Sequence, residues 1–475
     1  MKIRLLALLC VLAMLLCCFV SCKEDDKNPV DETTPNEETE GGTEVETEYI
    51  EAVKYDKEFI ILSATVSEAG GRHFAEFGGD YESTSIAYEI YNRDAYLEEK
   101  YDIIMTINST VNWNTEMQNA HMSDDLLFHI ATPGASNAVY SITNGFVADL
   151  NEYPHFDFSK PWWQTDAINQ MSVIGKNMMA IGDINLLAYD SVGVIFFSKK
   201  LAEDKGIKDL YDQVNNGTWT YEKMLTYVAD VTADTSGNGT FGVGDTFGLT
   251  GGSYSALCFT YGGNYSFVAK DADDAPILKS DLSDFINFFQ KVVADHAMDY
   301  LIGYDNVVDD PNIFKENRQL FAINMLGYSL DFRNLGIEYG ILPLPKWDEK
   351  QTDYWTFPHQ SASTTICIPT ANKEYEMTSR IVEDMAYLSR RDVLGRYVEE
   401  NLYYRSLNGD ENSYNTVLKL LQHLNCDIFF SYRAGITEML RSCMNAHNTN
   451  IASQFEKYTP TYQKQLNAIV GGLLK

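Results

Sequence analysis

Apolar and polar positions along this chain switch repeatedly between a two-residue and a helical period. Phe59 to Ala64 (FIILSA) is an apolar, β-branched run that predicts a strand, and Thr65, Ser67 and Glu68 follow it as a polar loop. After Thr84, the spacing of Ile86, Ile90 and Leu97 predicts a helix with Arg93, Glu98, Glu99 and Lys100 on its other faces. YDIIMTIN reads as a second strand. DLLFHI reads as a third, with a helix before it and another around Asn137 to Leu150. This alternation of strands and helices predicts an α/β unit wound on both faces of its sheet.

The pattern continues downstream. Thr220 stands as N-cap before a helix that puts Met224, Leu225, Val228 and Val231 on one face. A second helix is predicted over Phe285 to Asp295. Leu320 to Ile323 has the continuous apolar character of a strand buried on both faces, and Gly327, Tyr328 and Ser329 make a strand-to-helix loop. Tyr339 to Leu344 is another strand, ended by Pro343 and Pro345 because proline donates nothing to a ladder. TTICIPT is a further apolar run, followed by a helix through Ile381 and Leu388. The region after Asp392 is helical by pattern.

Composition adds an address. The first 22 residues have a basic end (Lys2, Arg4), an apolar core and Ser21 before Cys22, which reads as a secretory leader. Phe19-Val20-Ser21-Cys22 resembles a bacterial lipobox, in which the cysteine is lipidated and becomes the new N-terminus; unmodified cleavage or an uncleaved anchor is the alternative. Residues 23–50 are acidic and rich in Thr and Pro, as expected of a disordered tether. The formal net charge of −32 argues against nucleic acid or anionic lipid as a partner surface. Cys258, Cys367, Cys426 and Cys443 remain after the leader, without CxxC spacing, and read as buried thiols.

Three stretches together resemble the maltose-type family of extracellular solute-binding proteins, the receptors of ABC importers. They are QLFAINMLGYSLDFRNLGIEYGILPLPKW (319–347), the segment from Gly175-Lys176 through Met178–Ile181 to Phe196-Phe197-Ser198-Lys199, and the run from TTICIPT into Ala371-Asn372-Lys373. The resemblance implies a two-lobed periplasmic-binding-protein fold (type II), each lobe a doubly wound sheet with flanking helices. Residues 51–178 with 362–392 would form one lobe, and 183–360 with 393–475 the other. It implies a receptor that captures a small solute, most readily a carbohydrate, between the lobes, works with permease subunits, and sits on the cell membrane through a lipid on Cys22.

Thr65, Glu68, His129, Asp183, Asn185, Tyr189, Tyr254, Tyr261, Tyr328 and Trp355 then become candidate ligand contacts. Trp162 and Trp163 join them, since aromatic faces suit the C–H faces of pyranose rings. Neighbouring tryptophans on a strand point opposite ways, so one of the pair is expected to reach ligand. For His129, Tyr254 and Tyr261, packing in the core is the competing reading.

One loop stands apart. Asp234, Ser236, Asn238, Thr240 and Asp245 space oxygen-bearing residues as in an EF-hand-like calcium loop, while a glycine-rich turn of the same shape is the alternative. The Gly237–Gly242 GxGxxG has no strand before it and no helix after it, so it carries no dinucleotide reading. No cofactor is otherwise expected and no catalytic residue is assigned. A secreted glycoside hydrolase and a glycan-docking lipoprotein without transport remain the rival functions.

Overall fold

The computed structural model describes residues 49–64, 74–79, 85–242, 244–250, 253–296, 301–302, 311–432 and 435–474. The leader with Cys22, most of the acidic stretch, Thr65 and Glu68 lie outside the described residues. Two sheets carry the architecture. The first contains β1 (Lys57–Ala64), β2 (Ile103–Thr110) and β3 (Ile130–Ala131), all parallel in the order β2-β1-β3. The second is built from β4 (Gly193–Ser198), β5 (Phe247–Thr250), β8 (Leu301–Ile302), β9 (Gln319–Met325) and β10 (Tyr339–Leu342). Its order is β10-β4-β9-β5-β8, with β4 antiparallel to both β9 and β10. β6 (Val268–Lys270) and β7 (Pro276–Leu278) form a separate hairpin.

The apolar runs became strands because both faces are covered: Phe59 and Ile61 in β1 and Leu320 and Phe321 in β9 are fully buried. The third predicted strand is shorter than its apolar run. Leu127 N–H turns back to Asp125 O, and ladder bonding starts only when His129 N–H reaches Ile60 O at 2.8 Å. The helix Ser85–Tyr101 buries Ile86, Ile90 and Leu97 as expected, but it also buries Arg93 and Lys100, which the periodicity had put on its outer faces. The Tyr375–Leu388 helix and the turns after it cover that second side. Lys100 Nζ meets Asp384 Oδ2 at 2.8 Å, and Arg93 binds Asp94, the Glu76 carbonyl and Ser389. Thr220 caps the Tyr221–Val231 helix, accepting the Lys223 N–H at 3.2 Å.

Two segments run between the sheets and are bonded to each other. Ala180 and Ile366 exchange backbone hydrogen bonds of 3.1 and 2.8 Å, and Val192 pairs with Pro358. The second segment borders both sheets: Cys367 pairs with Ala131 of β3, and Thr356 Oγ1 donates to Gly193 O of β4 at 2.6 Å. TTICIPT is thus a crossing stapled by isolated pairs. After Leu388 the helix continues with widened i→i+5 turns over Ser389–Val393 and Tyr397–Ser406. The final helix, Ile451–Leu473, docks its end on the Ala135–Thr143 helix, where Gly472 packs directly on Thr143. The four cysteines are free, buried thiols.

Candidate functional site

The carboxyl ends of β1, β3, β5 and β9 and the two crossings converge on one junction. β3 hands over to Thr132 and Pro133, whose carbonyl accepts both the N–H and the hydroxyl of Thr365 at 2.8 and 2.9 Å. Gly134 then starts the Ala135–Thr143 helix so close to the second crossing that a Cβ would lie 2.9 Å from Gln360 O. Ser136 Oγ donates to the same carbonyl at 3.1 Å. From the second sheet, β9 is followed by Gly327, whose N–H donates to Asp190 O at 2.8 Å, while His359 N–H donates to Ser191 O at 3.1 Å. The Tyr254 ring sits 5.9 Å from Phe357 and 5.8 Å from His359.

Polar atoms are left over there. Thr132 Oγ1, Asp190 Oδ2, Thr250 Oγ1 and Gln360 Oε1 are buried and make no hydrogen bond among the described residues. Folded proteins almost always pair such atoms, so several gathered at one junction leave bonding capacity for a hydroxylated ligand. Asp190 is the most telling. Among the described residues only Tyr397 bonds its carboxylate, through Oδ1 at 3.0 Å, and burial pushes its carboxyl up to about 7, with Asp331 pushing the same way. Its free oxygen lies over Gly327, where a Cβ would come within 2.4 Å.

Several sequence candidates lie within the fold instead. Trp162 and Trp163 do not diverge: both indole N–H groups donate to the two oxygens of Glu383, each at 2.9 Å, inside a cluster with Phe158 and Tyr387. The stretch before the first crossing is a turn and not a flat strand, so alternation does not apply. His129 is stacked on Phe59. Its Nδ1 accepts the Ile60 N–H at 2.9 Å, which fixes the proton on Nε2, facing Glu374 at 3.3 Å. Burial lowers its pKa.

Asp183 accepts from Tyr189 at 2.5 Å and from Arg390 at 3.2 Å, and burial raises its carboxyl to about 6. Gln164 completes that network by donating to the Tyr189 oxygen at 2.8 Å. Asn185 ties the crossings together, accepting from Gly182 N–H and donating to Thr364 Oγ1. Tyr261 is fully buried against Phe357. Tyr254 and Tyr328 are the candidates that do fall at the junction, near enough to each other for their phenols to interact. Trp355 lies elsewhere, tilted over His423 at 5.2 Å.

Asp190, Tyr397 and Gln360 were not singled out from sequence. Asp190 had a weak signal as a lone acid between LLAY and the VGVIFF strand. Tyr397 had none, because nothing local joins it to a residue some two hundred positions earlier.

The oxygens of the Asp234–Asp245 loop bind the loop's own groups. Asp234 spends its oxygens on the N–H groups of Gly237 and Gly239, both at 2.7 Å, and Asp245 on those of Ser236 and Gly242, both at 2.8 Å. Asn238 Oδ1 likewise takes Thr240 N–H and Oγ1, both at 2.8 Å. Ser236 and Thr240 direct their hydroxyls to other loop oxygens. Among the described residues no cluster of three or more His, Cys, Asp or Glu is arranged to hold a metal.

No family model matches the sequence, and no curated protein matches it. Solved structures do. The sugar-binding protein MalE from Xanthomonas citri superposes with a TM-score of 0.58 at 11% identity, covering 86% of this chain and 98% of that one. The ABC substrate-binding protein Lmo0181 from Listeria monocytogenes, solved with cycloalternan, gives 0.56 at 10% identity, covering 86% and 99%. A cyclo/maltodextrin-binding protein complexed with maltotetraose gives 0.55 at 13% identity, covering 89% and 97%. The fold is that of a two-lobed solute-binding protein. Ligands of open α/β sheets usually lie beyond the carboxyl ends of the strands, the ends that the junction at Asp190 adjoins.

Proposed function

We propose that this chain is the extracytoplasmic substrate-binding subunit of an ABC importer, taking a small neutral carbohydrate at the junction between its lobes. The observation that carries the reading is the set of buried, unpartnered polar atoms around Asp190, contributed by both sheets and by both crossings. A polyhydroxylated ligand suits them because each hydroxyl both donates and accepts. Tyr254 and Tyr328 supply aromatic surface beside those groups. The fold shared with proteins described as sugar-binding supports the same choice.

Binding requires no covalent step. Ligand held by groups from both lobes stabilises the closed arrangement only through contacts it gains there, and the paired crossings at Ala180–Ile366 and Val192–Pro358 are the segments about which one lobe would rotate. A lipid on Cys22 would anchor the chain to the outer face of the cell membrane, residues 23–50 would hold the body away from it, and permease subunits would receive the closed form.

The test is a thermal-shift screen of residues 51–475 against neutral mono- and oligosaccharides, followed by small-angle scattering and mass spectrometry with the best stabiliser. A ligand binding only the native state at a hundredfold excess over Kd adds about 2.7 kcal/mol. The expected outcome is stabilisation, a smaller radius of gyration and intact ligand. Cleaved sugar would transfer the assignment to a glycoside hydrolase, and binding without compaction to a rigid docking lipoprotein.

A further inference from the structure

Away from that junction, a cavity of about 410 Å³ is lined by Trp355. It lies beyond the far end of the Ser253–Gly262 helix from Tyr254, about 15 Å along the axis for ten residues, so it is separate from the junction at Asp190. Its volume is within the ~300–1,000 Å³ typical of small-molecule sites. Asp166 and Asn169 reach it from the Thr165–Met171 helix, and Asn264, Asn425 and Asp427 complete the wall.

The wall is held in place by its own bonds. Gln170 accepts Cys426 N–H at 2.7 Å and donates to Leu424 O at 3.3 Å. Asn425 donates to Asn264 Oδ1 at 3.3 Å and to Tyr265 O at 3.1 Å, and Asp427 takes Ser266 Oγ at 2.6 Å and Phe267 N–H at 3.1 Å. Asn264 is kept left-handed at φ 53°, a conformation non-glycine residues hold only when their surroundings impose it. Against this fixed frame, the half-buried Trp355 ring and the exposed Asp166 carboxylate and Asn169 side-chain amide line the cavity.

We propose that this cavity is a second saccharide site, for a neutral pyranose unit of an oligo- or polysaccharide. A half-buried indole offers a stacking face together with a donor. An amide and a carboxylate beside it match paired hydroxyls. Charge selects against other ligands: Lys270 at the rim is spent on Asn169 O, Ser172 and Asp274, so an anionic ligand meets Asp166 without a free cation from that lysine. A polymer held here would raise the local concentration of chain ends near the cleft.

The experiment is native affinity electrophoresis in gels containing starch, mannan, xylan or pullulan, comparing wild type, Trp355→Ala, the exposed pair Asp166→Ala/Asn169→Ala, and the cleft variant Asp190→Asn. The site is supported if at least one polymer retards the wild type, if Trp355→Ala and the double variant bind it about tenfold more weakly at unchanged Tm, and if Asp190→Asn is still retarded. The double variant reads the site even if Trp355→Ala folds poorly. Absence of retardation by every polymer, or equal retardation of the wild type and the Trp355 and double variants, overturns it. Loss in Asp190→Asn alone assigns the polymer to the cleft and also overturns it, whereas failure of the cleft reading leaves this result untouched.

Discussion

Asp190 sets stability against binding. Its folded-state pKa of about 7 lies above the ordinary carboxylate value, so its contribution to stability is full only below the unfolded pKa and is lost as pH rises towards 7. Asp190→Asn keeps the shape and cannot ionise. It should therefore melt above the wild type at pH 8, by an amount on the order of a few kcal/mol, with the gap closing towards pH 4, while sugar affinity falls because an acceptor is lost. Identical melting curves at pH 8 would remove the buried-charge account. Removing Glu383 has the opposite effect on stability: Glu383→Ala leaves two buried indole N–H groups without their acceptor, a loss of roughly 2–5 kcal/mol. Trp162→Ala should likewise destabilise while leaving ligand affinity unchanged, since its ring is packed inside the fold. At this scale the sequence offered Tyr254 and Tyr328 as candidates, and both lie at the junction. It misassigned the tryptophans because a side chain's direction depends on a backbone turn that pattern does not reveal.

Among the elements, the last helix offers a test in which packing overrides propensity. Alanine favours helix over glycine by about 1 kcal/mol, yet a Cβ on Gly472 would lie 2.3 Å from Thr143 O. Gly472→Ala should lower stability by roughly 1–3 kcal/mol; a rise in Tm would mean the helix end does not dock on the Ala135–Thr143 helix. The Asp234–Asp245 loop gives a second test. Its carboxylates hold amide groups, and those bonds keep Asp245 below the usual carboxylate range. Its stabilising share is therefore present above the unfolded pKa and fades as pH falls. Calcium and chelator should leave Tm unchanged, whereas Asp245→Ala should loosen the loop, measured as faster proteolysis there. A calcium-dependent rise in Tm would support the ion-binding reading instead.

For the molecule as a whole, residues 49–475 form a compact unit, and the acidic stretch before it in sequence holds almost nothing to bury. A chain starting at Tyr49 should therefore melt with one starting at Lys23, within a degree or so by calorimetry. No helix among the described residues is long and apolar enough to cross a membrane. Two buried histidines give the body an acid limit. Burial lowers the pKa of His129, and burial with the neighbouring His447 lowers that of His296 to about 4. Their stabilising contribution is present above the unfolded value near 6.5 and is lost as pH falls towards 4. His296→Gln should flatten that part of the pH profile, read from Tm between pH 7 and 4.

The sequence by itself determined which segments become strands and helices, because apolar period and capping are local: β1, β2, β9, β10 and the Thr220-capped helix stand where the pattern puts them. The two-lobed fold came through the resemblance of three stretches to solute-binding proteins, and the apolar pattern alone reached only an α/β unit. Only the tertiary structure decided that Arg93 and Lys100 are buried, since a charged residue looks solvent-facing until an acid such as Asp384 arrives from 284 positions away. The same holds for the candidate site. Asp190, Gln360 and Tyr397 come from three distant stretches, and they acquire a common role only because both crossings and the widened helix after Leu388 bring them to one desolvated place.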